Sequence, residues 1–181
     1  MSDETTTTYA KTALHERALQ AGLDLLDQTQ ALSPRRADVA AALNVPLCEV
    51  EELFATDRAL MQAAGENALL FLIDAATKAV VQADPEDPVA QFQALGHAYL
   101  RWAVSFPQQY RLLTEGRVID LLEIPDLRRY SDSVHNLMVQ MLGRARDAGQ
   151  LHPREDVALL AVTSRTFAHG MARMIIDGRM R

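Results

Sequence analysis

One cysteine, Cys48, stands in the whole chain. That excludes an internal disulfide framework and fits a reducing compartment. Glycine and proline are scarce, eight and seven in 181 residues, so a sequence rich in alanine and leucine has few breaks. Strand-like alternation is nearly missing, and this predicts an all-α chain. No apolar run is long enough to span a bilayer, because the best candidate, 68–81, is interrupted by Asp74 and Lys78. No apolar run follows a basic start, so no secretory signal is expected, and the cytoplasm is the expected location. Positive charge is short as well: 18 Lys and Arg face 24 Asp and Glu, for a net charge of −6. The hydrophobic fraction of 49% is enough for a core, so the chain does not read as disordered.

The signatures of catalysis are also missing. The five histidines are His15, His97, His135, His152 and His169, and none pairs with another at the i, i+4 spacing of a helical metal site. Asp132 and His135 make one i, i+3 pair, whereas a di-iron bundle needs two such pairs and further glutamates. No phosphate-binding loop and no glycine fingerprint occurs. The chain reads as a non-enzyme with no catalytic residue, no metal and no cofactor.

What is present is organised around 33–60, SPRRADVAAALNVPLCEVEELFATDRAL. Ser33 suits an N-cap and Pro34 a first helical position. Val39, Ala40 and Leu43 recur at helical spacing. Asn44 follows, the residue that best tolerates the left-handed conformation after glycine. Val45 and Pro46 lead into a second short helix with Leu47, Val50, Leu53 and Phe54 as its apolar stripe. Thr56 then caps a long helix whose first turn holds Asp57. Helix, tight turn, helix is the helix-turn-helix pattern of DNA-binding proteins.

With the leading helix AKTALHERALQAGLDLL, this stretch resembles the TetR family of bacterial regulators. The chain keeps the family's pattern at Ala40, Val45, Phe54 and Leu60. It departs at Asn44 for glycine, Pro46 for serine, Glu51 for the DNA-facing tyrosine and Asp57 for the phosphate-binding lysine. The segment AYLRWAVSFPQQYRLL is similar to the ligand-domain helix pair of one TetR subgroup. The resemblance implies an N-terminal DNA-binding domain, 1–56, and a ligand-binding and dimerisation domain, 57–181. It implies a ligand-responsive regulator, most often a repressor, which binds double-stranded operator DNA as a homodimer. The last two long helices would pair with their copies.

Residue by residue, the DNA-contact candidates are Arg35, Arg36, Leu47, Cys48, Glu49, Glu51 and Glu52. Arg35 and Arg36 open the first helix of the motif, where they read as phosphate clamps or as a solvated pair. A glutamate can accept from cytosine N4, but three together repel phosphates. Residues 1–60 hold five cations against ten carboxylates. That imbalance motivates the alternative reading, a TetR-like protein that has lost ordinary DNA binding and serves a ligand or a partner.

The other helices are expected at 9–28, 57–82, 89–106, 107–113, 126–148 and 153–176. Residues 1–8 are expected to fray, and Gly116 with the apolar turn 118–124 is expected to break the chain. The ligand candidates are His97, Trp102, Tyr110, His135, Met138, Phe167 and Met171, a set suited to a small apolar or aromatic effector. The last helix is apolar on two sides, with Val157, Leu160, Ser164, Phe167 and Met171 on one and Val162, Thr166 and Ile176 on the other. It must bury both.

Overall fold

The computed structural model describes residues 2–29, 33–115 and 124–179, and every regular element among them is a helix. The elements are α1 (Ser2–Thr29), α2 (Arg36–Leu43), α3 (Leu47–Leu53), α4 (Asp57–Gln82), α5 (Pro88–Ser105), α6 (Pro107–Thr114), α7 (Pro125–Asp147) and α8 (Val157–Ile176). None is long and apolar enough to cross a membrane. The expected break at Gly116 and the turn at 118–123 lie outside the described residues.

Local signals set most boundaries. Asn44 takes φ 54°, the left-handed conformation expected of it, and ends α2. The Thr56 hydroxyl accepts from the Ala59 N–H at 3.0 Å and opens α4, which runs over the expected 57–82. Asp87 accepts from the N–H groups of Val89 and Ala90 and starts α5. Gly149, at φ 76°, follows the end of α7.

Three boundaries differ from expectation. Helix α1 begins at Ser2 rather than near residue 9. No proline or glycine interrupts the chain before Gly22, so nothing in the sequence stops the helix earlier. Helix α2 starts at Arg36, because Asp38 reaches back to the Arg35 N–H at 3.0 Å and makes Arg35 the cap in place of Ser33. Helix α8 starts at Val157, not at 153. A turn closed by the Glu155 N–H on the His152 carbonyl occupies the intervening residues, and the Asp156 carboxylate caps the helix.

The chain divides into two compact units, Met1–Ala68 with Gln108–Asp120, and Leu69–Pro107 with Leu121–Arg181. The first unit is therefore made of two separate chain segments. Its core joins Ala18 and Leu19 of α1, Val39 and Ala40 of α2, Val50 of α3, Phe54 and Leu60. Leu19 and Leu23 of α1 are buried as well. Gly22 lies between Leu60 and Val39, each 3.9 Å from where a Cβ would stand. Asp27 of α1 accepts from the Gln108 N–H and from the Gln109 side chain, both at 3.3 Å, so it holds the start of α6. Burial, the largest influence on it, raises the Asp27 pKa above the usual aspartate value, against the lowering effect of these two donors.

The second unit is built on Ala76, Leu95, Ala98, Met138, Leu142 and Ala161, with Val157 and Leu160 packed against them. Arg144 of α7 donates to the Gln91 side chain and the Pro85 carbonyl, and Gln150 donates to Asp87. The start of α5 is thereby tied to the end of α7. Helix α8 gives one side, including Ala161 and Ala172, to this core. Its other side carries Leu159, Val162, Phe167 and Met174, all exposed.

Candidate functional site

In the first unit, α2, the Asn44 turn and α3 form the expected helix-turn-helix. After Asn44, the Val45 N–H bonds back to the Ala40 carbonyl at 3.1 Å, and the chain turns sharply into Pro46 and α3. Val50 is fully buried, while Leu47, Cys48, Glu49, Glu51 and Glu52 are exposed. The ring of His15 stacks on Phe54 at 5.0 Å and supports the end of α3 from α1. The solvent face of α3 thus presents three carboxylates, a thiol and a leucine, with no cationic residue in the helix.

The two arginines are placed differently. Arg35 is exposed and forms a two-pronged pair with Asp38, Nε to Oδ2 at 3.1 Å and Nη2 to Oδ1 at 3.0 Å. This pairing, led by the side-chain hydrogen bond, lowers the Asp38 pKa and raises that of Arg35. Arg36, whose side chain is 22% exposed, turns toward the first turn of α4. Its backbone N–H and its Nε both donate to Asp57 Oδ1 at 3.0 Å. Its Nη1 donates to the carbonyls of Phe54 and Ala55, at 3.1 and 3.0 Å. The Arg36 N–H is the main reason that the Asp57 carboxyl sits below its ordinary pKa.

The ligand candidates differ in burial. His97 and Phe167 are exposed, His135 and Met171 are half-buried, and Trp102 and Met138 are buried. Tyr110 is fully buried in the first unit. In the second unit, α4 and α5 enclose an open hollow of about 180 Å³, lined by Phe71, Ala75, Ala98, Arg101, Trp102, Ser105 and Phe106. Phe71 and Phe106 meet edge to face at 5.5 Å. Of the residues singled out from the sequence, only Trp102 lines this hollow. Nothing local in the sequence marked Arg101 as a neighbour of the Phe71 and Phe106 rings.

His169 is the histidine that sequence reasoning missed. Its Nδ1 lies 3.4 Å from the Tyr99 hydroxyl, and the Tyr99 ring lies 6.3 Å from Trp102. Burial first, then the Arg173 and Arg165 charges, hold its pKa below the usual histidine value. Among the described residues no three His, Cys, Asp or Glu side chains group as a metal site would require.

Residues 92–181 match the family described as "Tetracyclin repressor-like, C-terminal domain". No curated protein matches the chain. Among solved structures, the chain is similar to a protein of unknown function from Rhodococcus sp. RHA1. The TM-score is 0.78 at 22% identity, over 92% of this chain and 84% of that one. It is similar to a bacterial regulatory protein in the tetR family from Rhodococcus RHA1, with TM-score 0.70, 17% identity, and 88% and 83% of the two chains covered. It is also similar to the TetR family transcriptional regulator PfmR from Thermus thermophilus, with TM-score 0.69, 21% identity, and 91% and 90% covered. At these identities the likeness establishes a shared fold.

Proposed function

We propose that this chain, which belongs to the TetR family, is a ligand-responsive transcriptional regulator that acts in the cytoplasm, as a homodimeric repressor on operator DNA. The observation that carries the reading is the helix-turn-helix, in which Val50 anchors α3 while Leu47, Cys48, Glu49, Glu51 and Glu52 face outward. In this proposal residues 1–56 bind DNA and residues 57–181 bind the effector and dimerise. Arg35 contacts phosphate, and Glu51 sits at the groove. No enzymatic step is part of it.

The exposed face of α8 supports the homodimer. Leu159, Val162, Thr163, Thr166, Phe167, Gly170 and Met174 share one side of the helix, and Leu159 and Phe167 are 63% and 65% exposed. A large apolar face of this kind calls for a partner, and a second copy of α8 supplies the same surface. Gly170 lies on that face with open space around it, so a second helix can approach closely. Two recognition helices must then stand about 34–36 Å apart to enter successive major grooves. An effector represses or releases only as far as it prefers one separation over the other. The hollow beside Trp102 is the proposed entry for a small apolar or aromatic effector, with His97 and His135 as further candidates.

The test is a salt titration of binding to the DNA beside the protein's own gene. An operator-binding dimer gives a sequence-preferring shift that weakens steeply with salt, with log–log slope about −0.9 for each phosphate neutralised. A second reading is favoured by the solvent face of α3, whose charged residues are all carboxylates: a TetR-like protein that serves a ligand or partner without ordinary DNA binding. The absence of any preferring shift at about 50 mM salt, with a folded dimer confirmed, selects that reading.

A further inference from the structure

We propose that Arg36 is a positioning residue, which locks the end of α3 to the first turn of α4, and that it contributes no phosphate contact. The inference rests on the DNA-binding reading for its functional consequence, but the lock itself does not.

A guanidinium carries five N–H groups in a rigid fork. In Arg36 the Nε donates to Asp57 and the Nη1 to the carbonyls of Phe54 and Ala55. The Nη2 faces Glu51 at 3.8 Å. The backbone N–H of the same residue also goes to Asp57. A phosphate could be gripped in the two-pronged manner only after several of these bonds are surrendered. The carbonyls it serves lie at the end of α3, where a helix leaves acceptors without intrahelical donors. The carboxylate it serves stands at the start of α4, where a negative charge is favoured. One cation thus stitches a negative helix end to an anion at the next helix's positive end. Beside it, Thr56 caps α4 through the Ala59 N–H.

Asp57 occupies the place where the family pattern has a phosphate-binding lysine. By itself that change would only repel DNA. Paired with Arg36 it becomes one half of a brace, so the positive charge has been moved inward and used for geometry. Because the brace joins α3 to α4, movement of the start of α4 carries α3 with it.

The experiment uses full-length protein in three variants, Arg36→Ala, Arg36→Lys and Asp57→Asn. Binding to the DNA beside the protein's own gene is measured as a function of salt, and amide hydrogen exchange is followed over 50–60. The brace predicts that all three variants bind at least several-fold more weakly with an unchanged salt slope. Lysine fails to rescue because it lacks the fork. Asp57→Asn weakens binding although it removes a negative charge, and the double variant Arg36→Ala/Asp57→Asn is no worse than the worse single one. Amides of 54–60 exchange faster in each variant, with the rest of the first unit unchanged. A slope flattened by about 0.9 per half-site in Arg36→Ala would make Arg36 a phosphate contact and overturn the proposal. Tighter binding by Asp57→Asn would overturn it as well. If the native protein binds no DNA, the exchange measurement alone decides: faster exchange upholds the brace while the DNA reading fails, and unchanged exchange overturns it.

Discussion

The solvent faces of α3 and α8 make opposite demands on their surroundings. Helix α3 buries Val50, with Phe54 just beyond its end, and shows water mostly charge. Its apolar needs are met within the first unit. Helix α8 buries only Ala161 and Ala172 fully and leaves Leu159, Val162, Phe167 and Met174 uncovered. The short helix is complete and the long one is not. A surface that charge already solvates selects partners by electrostatics, whereas a bare apolar face selects a partner by shape and burial.

The sharpest way to break this contrast is to attack the finished side. Val50→Asp buries an unpaired carboxylate in an apolar core. It should lower the stability of the first unit by about 4 kcal/mol or more. Loss of that unit's cooperative melting, with the α7–α8 helices retained in hydrogen exchange, is the expected result. Next comes the unfinished side. Gly170→Asp places charge in the centre of the bare α8 face, where nothing lies within 4 Å of a new Cβ. Sedimentation should shift from about twice the chain mass to the chain mass, with helix content unchanged in circular dichroism. The same charge at Ala168, which lies on the core side with Ala161 and Ala172, should disturb the fold instead.

Smaller effects sharpen the comparison. Asp156→Ala removes the carboxylate that accepts from Ala158 and Leu159. It should destabilise the second unit by about 1 kcal/mol, read from denaturant midpoints. The smallest effect concerns His169, whose pKa is held below the ordinary 6.5. Between its folded and unfolded pKa values the unfolded chain binds more protons, so stability falls as pH drops through about 6.5 toward the folded value. Thermal melts taken from about pH 7.5 down to about pH 5.5 should show a larger loss for the native chain than for His169→Gln. Asp27 has the opposite sign: its raised pKa makes the folded state bind the extra proton, so acidification through that value favours folding.

These residues also mark what could be read in advance. Asn44 and Thr56 were legible because a left-handed cap and a hydroxyl cap are properties of a few neighbouring residues. The all-helical architecture was legible because its period is local too. Arg36 read from the sequence as a phosphate clamp or half of a solvated pair; its partner Asp57 lies 21 positions away, and no spacing rule connects them. Phe167 was grouped with Val157 and Leu160, yet only those two pack on the core of the second unit while Phe167 stays exposed, because an all-round apolar helix does not announce how much of each stripe its own chain will cover. The hollow at Trp102 needed Phe71 and Arg101 from two helices, and only the folded chain brings them together.

The two-segment make-up of the first unit bears on how this protein is born. Helices α1 to α3 emerge from the ribosome first, yet Tyr110, Leu112 and Leu113, all buried, belong to the segment that returns to them. Asp27 waits for the Gln108 N–H in the same way. During synthesis the part that α6 gives this unit is therefore added only after α4 and α5 have been made, and an expressed fragment that stops at residue 68 lacks it. The first unit, first to begin in sequence, is not first to be finished.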